Sequence, residues 1–154
     1  MLIICSCLRL SNAYDDRMER EDLGALLAQV VRRLMAAERP LLEAHGLSMW
    51  GYSVLSHLAK QPTETQQALA QAIGYDKSRL IPLLDQLADQ GLLVREPDPA
   101  NRRAHNVRLT PEGQARLKAA KADIRAMEDE LLSALTATEK RQFLAALPRL
   151  ADTP

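Results

Sequence analysis

The sequence is poor in aromatic residues, which make up 3% of its 154 residues, and its apolar residues are mostly leucine and alanine. Such a composition favours helices over a β-sandwich. The length corresponds to one domain with enough chain to bury a core. We therefore expect a mainly α-helical protein.

Cysteine is nearly absent as well. Cys5 and Cys7 are too few and too close together for a disulfide framework, so we expect a reducing compartment, the cytoplasm. No further cysteine exists to complete a zinc site. A regulator that senses oxidants through Cys5 and Cys7 is an alternative that the sequence leaves open.

The apolar start of the chain, MLIICSCLRL, is too short to cross a membrane. It also has no early basic residue of the kind that opens a signal peptide. We therefore expect no membrane partner. A polar stretch follows, and Met18 is an alternative natural start. On that interpretation residues 1–17 are an N-terminal extension and residues 18–154 form one domain.

The chain carries no net charge, so its composition does not indicate a nucleic-acid partner, and a DNA-binding hypothesis must rest on where the charges lie. Its three histidines, His45, His57 and His105, fall in different predicted elements, and none has a metal ligand or nucleophile at motif spacing. The sequence has no glycine-rich phosphate loop. We expect no enzymatic activity, no metal site and no cofactor.

Apolar residues recur at helical spacing from Leu23 to Leu34, which predicts a long helix over about residues 21–44 in which Pro40 can introduce a kink. Gly46 and Gly91 are typical helix ends, and Pro148 is expected to close the last helix near Leu147. The remaining helices are predicted over about residues 49–60, 66–73, 77–90 and 111–133, with a last helix from the cap at Thr136 to about Leu147. The predicted N-caps are Ser48, Thr65, Asp76, Thr110 and Thr136, the last forming a capping box with Glu139.

Two short helices in the middle of the chain are joined by the tight turn Gly74–Tyr75, which is typical of a helix-turn-helix and also of an ordinary helical hairpin. A strand over Leu92–Glu96 and an alternating segment from His105 to Leu109 follow directly. A helix-turn-helix followed by a β-hairpin is a winged helix. The fold class is therefore mainly α with a small β-hairpin wing, over about residues 48–110.

Basic and polar residues occupy the positions from which such a lobe contacts DNA. Arg79 is the best candidate to bind guanine, because its planar guanidinium matches two acceptors in the major groove. Arg102 and Arg103, near the tip of the wing, are suited to the minor groove. The segment 65–110 nevertheless holds six Lys/Arg against five Asp/Glu, so its average charge gives no DNA signal. The predicted DNA-binding residues are Gln66, Lys77, Ser78, Arg79, Arg102, Arg103 and His105.

The segments ALAQAIGYDKSRLIPLLDQLADQGLLVRE and DPANRRAHNVRLTPEG resemble the multiple-antibiotic-resistance regulator (MarR) family of transcription factors. The resemblance covers about residues 22–150 and includes the family's Leu-Thr-x-x-Gly at Leu109–Gly113. Two positions depart from the family pattern. Asn101 stands where an aspartate is common, so the family's acid–arginine pair in the wing is not expected here. Pro82 stands where a polar or basic residue is common in the recognition helix.

The resemblance implies a homodimer, with dimerisation helices over about residues 21–45 and 111–150, that represses transcription from a pseudo-palindromic operator. It also implies release by a small lipophilic or phenolic effector, bound between the dimer helices and the winged lobe. A winged helix that binds another protein is the alternative function. The residues expected to line the effector pocket are Met35, Arg39, His45, Met49, Trp50 and Tyr52.

Overall fold

The structure is a computed structural model that describes residues 22–61, 64–98 and 101–151. Cys5, Cys7 and the proposed extension over residues 1–17 lie outside the described residues. The backbone of residues 64 and 101–104 is described as strand, but the side chains of these residues lie outside the described part of the structure. Residues 22–33 and residues 34–151 belong to two separate units.

The described residues form six α-helices and a small sheet, as the sequence predicts. A 3-10 turn, Leu132–Ala134, separates the last two helices. The helices are α1 Leu23–Ala44, α2 Met49–Leu58, α3 Gln66–Ala72, α4 Lys77–Asp89, α5 Pro111–Leu131 and α6 Ala137–Ala151, and the strands are β1 Glu64–Thr65, β2 Leu93–Asp98 and β3 Asn101–Leu109.

Side-chain caps begin the helices where the sequence predicts them. Ser48 Oγ accepts from the backbone N–H of Gly51 at 3.0 Å, and Thr65 Oγ1 accepts from Ala68 at 3.2 Å. At α6 the capping box is complete, because Thr136 N–H donates to Glu139 Oε2 at 2.8 Å and Glu139 N–H donates to Thr136 Oγ1 at 3.4 Å. Hydrogen bonds from the Thr136 hydroxyl and backbone hold the pKa of Glu139 below its usual value. Each cap satisfies an amide that has no partner within its own helix.

Prolines do not end the helices that contain them. Pro40 lies inside α1, and Pro82 inside α4. The predicted end of α6 near Leu147 is wrong, since the helix runs through Pro148 to Ala151. Proline removes one hydrogen bond to the carbonyl four residues earlier. All three prolines are exposed, so water can bind the carbonyl that each one leaves without a helical partner.

The sheet has three antiparallel strands in the order β1-β3-β2, so the wing carries one strand more than the predicted hairpin. β1 pairs Thr65 with Asn106, and β2 pairs Leu93 with Leu109 and Arg95 with Val107. At the tip, Asp98 pairs with Asn101 after a shift in register. β1 is two residues long and so cannot show the alternation that predicts a strand.

The core lies in the winged lobe and under α5. Leucines from α2, α3, α4 and β2 meet there, together with Val107 of β3 and Leu117 and Ile124 of α5. In the first half of α1, by contrast, every residue from 22 to 33 is exposed, including its apolar stripe. The fully buried large side chains are Leu42, Leu55, Leu58, Leu69, Leu80, Leu84, Leu92, Leu93, Val54 and Val107.

One junction joins the end of α4, the base of the wing and the start of α5. Thr110 N–H donates to the carbonyl of Leu92 at 3.1 Å, and its hydroxyl donates to the carbonyl of Gly91 at 2.6 Å. The same hydroxyl accepts from Gly113 N–H at 3.0 Å. A Cβ at position 113 would lie 1.9 Å from the Leu92 carbonyl oxygen, so only glycine lets α5 approach β2 this closely.

We expect Gly113→Ala to destabilise the protein by about 1–3 kcal/mol, the usual cost of forcing extra atoms into a packed contact. The added methyl group must displace the backbone at Leu92, which no side-chain rotation can relieve. Thermal unfolding followed by circular dichroism measures the effect.

Gly24→Ala is the matched control for this substitution. Its new Cβ would meet Asp22 Oδ1 at 3.5 Å, which is an ordinary contact, and alanine favours a helix more than glycine does. The control should therefore melt no earlier than the parent protein. Equal losses in the two variants would contradict the role assigned to Gly113.

Candidate nucleic-acid interface

The first turn of α4 is held by an aspartate cap. Asp76 accepts from the backbone N–H groups of Ser78 at 2.9 Å and Arg79 at 3.2 Å, and it also accepts from the Ser78 hydroxyl. These hydrogen bonds, the one from the Ser78 hydroxyl first, hold the pKa of Asp76 below its usual value. The cap fixes the direction in which the residues after it project.

Lys77, Ser78 and Arg79 are exposed in this first turn, as a DNA contact requires. Leu80 and Leu84 point the other way and are fully buried, so the rotation of α4 about its axis is set by the core. The Ser78 hydroxyl already donates its hydrogen to Asp76. A phosphate contact by this hydroxyl therefore requires it to turn away from Asp76.

Arg95 links the wing to both helices of the helix-turn-helix, a role that the sequence did not reveal. Its guanidinium, on β2, donates to a carboxylate oxygen of Asp85 on α4. The orientation that turns the amide oxygen of Gln66 toward Arg95 gives two more hydrogen bonds, from Nε and Nη2, each 2.7 Å long. Gln66 thus has its amide oxygen engaged within the protein.

The wing is braced by an acid–arginine pair at other positions than the family pattern suggests. Arg108 Nη2 donates to Glu96 Oε1 at 2.9 Å, which joins β3 to β2. His105 is exposed opposite Pro97 near the tip. The backbone of Arg102 and Arg103 lies in β3, while their side chains lie outside the described residues.

Three of the six residues predicted for an effector pocket lie together. Met35, Arg39 and Met49 line an open cavity of about 340 Å³ between the second half of α1 and the start of α2. The other residues that line this cavity are Leu42, Glu43, Leu47 and Ser48.

The other three predicted pocket residues lie elsewhere, each with its own contact. His45 Nε2 lies 2.7 Å from Asp123 Oδ2 on α5. Trp50 packs on Tyr75, with ring centroids 4.2 Å apart and planes 31° apart. Tyr52 packs against the core. The structure therefore divides the predicted pocket into a cavity and separate supporting contacts.

Tyr52 belongs to a polar group formed by three helices. Burial raises the pKa of Tyr52, and the carboxylates of Glu38 on α1 and Glu128 on α5 raise it further. The pKa of Glu38 is itself raised, by burial and then by Glu128. No sequence signal predicts this group, because its members are far apart in the chain and become neighbours only when α1, α2 and α5 pack.

Within the described residues, no group of three or more histidine, cysteine, aspartate or glutamate side chains is placed to hold a metal ion. None of the described helices has the length and apolar character needed to cross a membrane.

The chain is similar to known transcription regulators in sequence and in structure. A MarR family model matches residues 45–104. A putative transcriptional regulatory protein for the hcr operon of Thauera aromatica is 28% identical over 112 residues, which is 73% of this chain and 68% of that protein.

Two solved structures extend the similarity over nearly the whole fold. A MarR-family transcriptional regulator from Rhodococcus sp. RHA1 is 30% identical, with a TM-score of 0.74 over 86% of this chain and 97% of its own. The transcriptional repressor CouR, bound to a 23-mer DNA duplex, is 28% identical, with a TM-score of 0.73 over 95% of this chain and 99% of its own.

The chain matches almost the full length of the Rhodococcus regulator at 30% sequence identity. This match agrees with the family model and with the winged helix described above. The chain belongs to the MarR family of DNA-binding transcriptional regulators, which are regulators rather than enzymes.

Proposed function

We propose that the protein is a cytoplasmic, homodimeric repressor that binds a pseudo-palindromic operator and releases it when a small molecule binds. The observation that carries this proposal is the exposed first turn of α4, where Asp76 fixes Lys77, Ser78 and Arg79 outside a buried leucine face. A helix presented in this way fits the major groove with its N-terminal residues against the bases.

In the proposed complex, α4 supplies the contacts that read sequence. Arg79 donates to guanine through two N–H groups, while Lys77 and Ser78 bind phosphates. In a dimer the two copies of α4 would lie about one DNA turn apart, ~34 Å, so that both half-sites are read from one side of the duplex.

The wing supplies the second set of contacts. Arg102, Arg103 and His105 enter the neighbouring minor groove, whose negative potential attracts cations. Arg95 supports this arrangement because its bonds to Asp85 and Gln66 tie the base of the wing to α4 and to the start of α3. The spacing between the recognition helix and the wing is thus set before DNA binds.

Two exposed apolar faces support the dimer. The first half of α1 exposes Leu23, Leu27 and Val30, and α6 exposes Leu144 and Leu150. Leucine and valine side chains at helical spacing gain about 25 cal/mol for each Å² that a partner covers. Contact with a second copy would bury both faces.

The cavity beside Arg39 is the proposed effector site. Its volume, about 340 Å³, suits a small aromatic or lipophilic molecule, and the guanidinium of Arg39 can bind a carboxylate or a phenolate. Met35, Leu42, Leu47 and Met49 supply apolar contacts.

A short chain of contacts connects this cavity to the DNA-binding helix. Ser48 lines the cavity and caps α2, and Trp50 in the first turn of α2 packs on Tyr75. Tyr75 directly precedes Asp76, the cap of α4. An effector that binds better to one position of α2 therefore shifts the dimer between arrangements that do and do not match the operator.

We expect tight binding to DNA upstream of the protein's own coding sequence, and an affinity that falls steeply as salt increases. Arg79→Ala should weaken binding by about 1–3 kcal/mol and relax the preference for one base. Arg102→Ala/Arg103→Ala should weaken binding to all sequences. Fluorescence anisotropy across a salt series measures both effects.

Lys118→Ala provides the control for lost positive charge. Lys118 is exposed on α5, where it lines a cavity with Ala59 and Lys121 and belongs to neither α4 nor the wing, so its removal should leave the affinity and the salt dependence unchanged. Arginine variants that bind like the parent protein would contradict the proposed interface. They would favour a winged helix that contacts another protein.

We expect the protein to be a dimer in sedimentation equilibrium, and Leu144→Glu to shift it toward the monomer. The carboxylate would be placed on the exposed apolar face of α6, where a partner would have to desolvate it. Ala145→Glu adds the same charge to the other side of α6 and should leave the dimer intact. A Leu144→Glu protein that dimerises like the parent would exclude this face as the interface.

A further inference from the structure

The described residues include twelve exposed large apolar side chains, and ten of them lie on α1 and α6, the helices proposed to form the dimer. The remaining two are Trp50 and Ile81. Trp50 packs on Tyr75. Ile81, which is 38% exposed, lies on α4 next to the exposed Pro82. The recognition helix thus presents Ile81 and Pro82 as a small, partly exposed apolar surface.

The orientation of α4 places this surface toward a ligand. Leu80, Leu84 and Leu87 are buried and define the core side of the helix. Since a helix turns by about 100° per residue, Pro82 lies on the side opposite these leucines, and Ile81 lies on a flank. By the same rule Pro82 lies about 60° from Arg79 around the helix axis, and Ile81 lies about 60° from Ser78 on the other flank. The surface proposed to enter the major groove therefore runs from Arg79 through Pro82 and Ser78 to Ile81.

Acidic residues limit the contact to this part of the helix. Asp85 and Asp89 are exposed in the later turns of α4. The charge of Asp85 is partly offset by Arg95, but a carboxylate at either position repels phosphates. We therefore place the base contacts on residues 77–82, in which Ile81 and Pro82 are the exposed apolar members.

Apolar side chains in the major groove favour one base. Thymine presents a 5-methyl group there, whereas guanine, cytosine and adenine present polar atoms in the corresponding pattern. Isoleucine suits this contact because branching at Cβ leaves it one strongly preferred rotamer in a helix, so little freedom is lost on binding. The proline ring beside it is equally rigid.

We propose that Ile81, with Pro82 beside it, selects thymine in each half-site of the operator through contact with the thymine 5-methyl group. This inference rests on the proposed function, in which α4 lies in the major groove. It makes Ile81 a specificity residue of the repressor. It also gives Pro82 a role in base recognition, although the position lacks a hydrogen-bonding side chain.

The test uses the full chain and a duplex selected by it from random DNA. Each thymine of the selected site is replaced, one at a time, by deoxyuridine, which differs only in lacking the methyl group. At one thymine in each half-site, the replacement should weaken binding about 4-fold, the effect of leaving one methyl group unburied. Replacements at other positions should have smaller effects.

The variant Ile81→Ala tests whether the side chain of Ile81 makes the contact with the thymine methyl group. Ile81→Ala should weaken binding to the thymine duplex. The variant should then bind the thymine and deoxyuridine duplexes with the same affinity, so the effects of the two changes are not additive. Gln86→Ala, also exposed and on the same helix, is the matched control and should retain the thymine preference. Thermal unfolding of both variants verifies that they fold.

The results separate this inference from the function on which it rests. Specific binding without any difference between thymine and deoxyuridine would overturn the methyl contact and leave the regulator intact. A difference that persists in Ile81→Ala would show that another residue reads the methyl group. Failure to select any preferred sequence would instead contradict the proposed function itself.

Discussion

The close approach of Gly113 to the carbonyl of Leu92 is the constraint on which the DNA-binding surface depends. It allows the start of α5 to pack against the residue where α4 ends and β2 begins. Thr110 uses its N–H and its hydroxyl to bind the carbonyls of Leu92 and Gly91 at the same place. Because the end of α4, the start of β2 and the end of β3 meet at this junction, the recognition helix and these two strands are joined through a few backbone contacts.

The protein shows how a chain with no net charge can expose basic residues at one end of a helix. In the winged lobe three of the acidic groups are used in structure: Asp76 caps α4, Asp85 binds Arg95, and Glu96 binds Arg108. Lys77 and Arg79 stay exposed at the end of α4 where the helix dipole is positive. Local placement of charge, rather than its total, therefore decides what this lobe attracts.

Much of the fold could be predicted from the sequence because it depends on local signals. Apolar spacing located α1, and capping residues such as Ser48 and Asp76 located the starts of later helices within a residue or two. Contacts between distant segments could not be predicted. Two features exist only after the chain has folded: the bridge from Arg95 to Gln66 and Asp85, and the two-residue strand β1. The end of α6 was also missed, because a helix tolerates the loss of one hydrogen bond near its end and so continues through the exposed Pro148.

The junction at Thr110 and Gly113 also determines how the protein can move. Because α4, the wing and the start of α5 are bound to one another there, a change in the spacing of the proposed dimer would move them together. The turn from His45 to Ser48 lies outside this junction, and the proposed effector cavity lies beside it. Under the proposed function, a small molecule bound in that cavity would therefore act by moving the DNA-binding lobe as a whole, without contact with the bases.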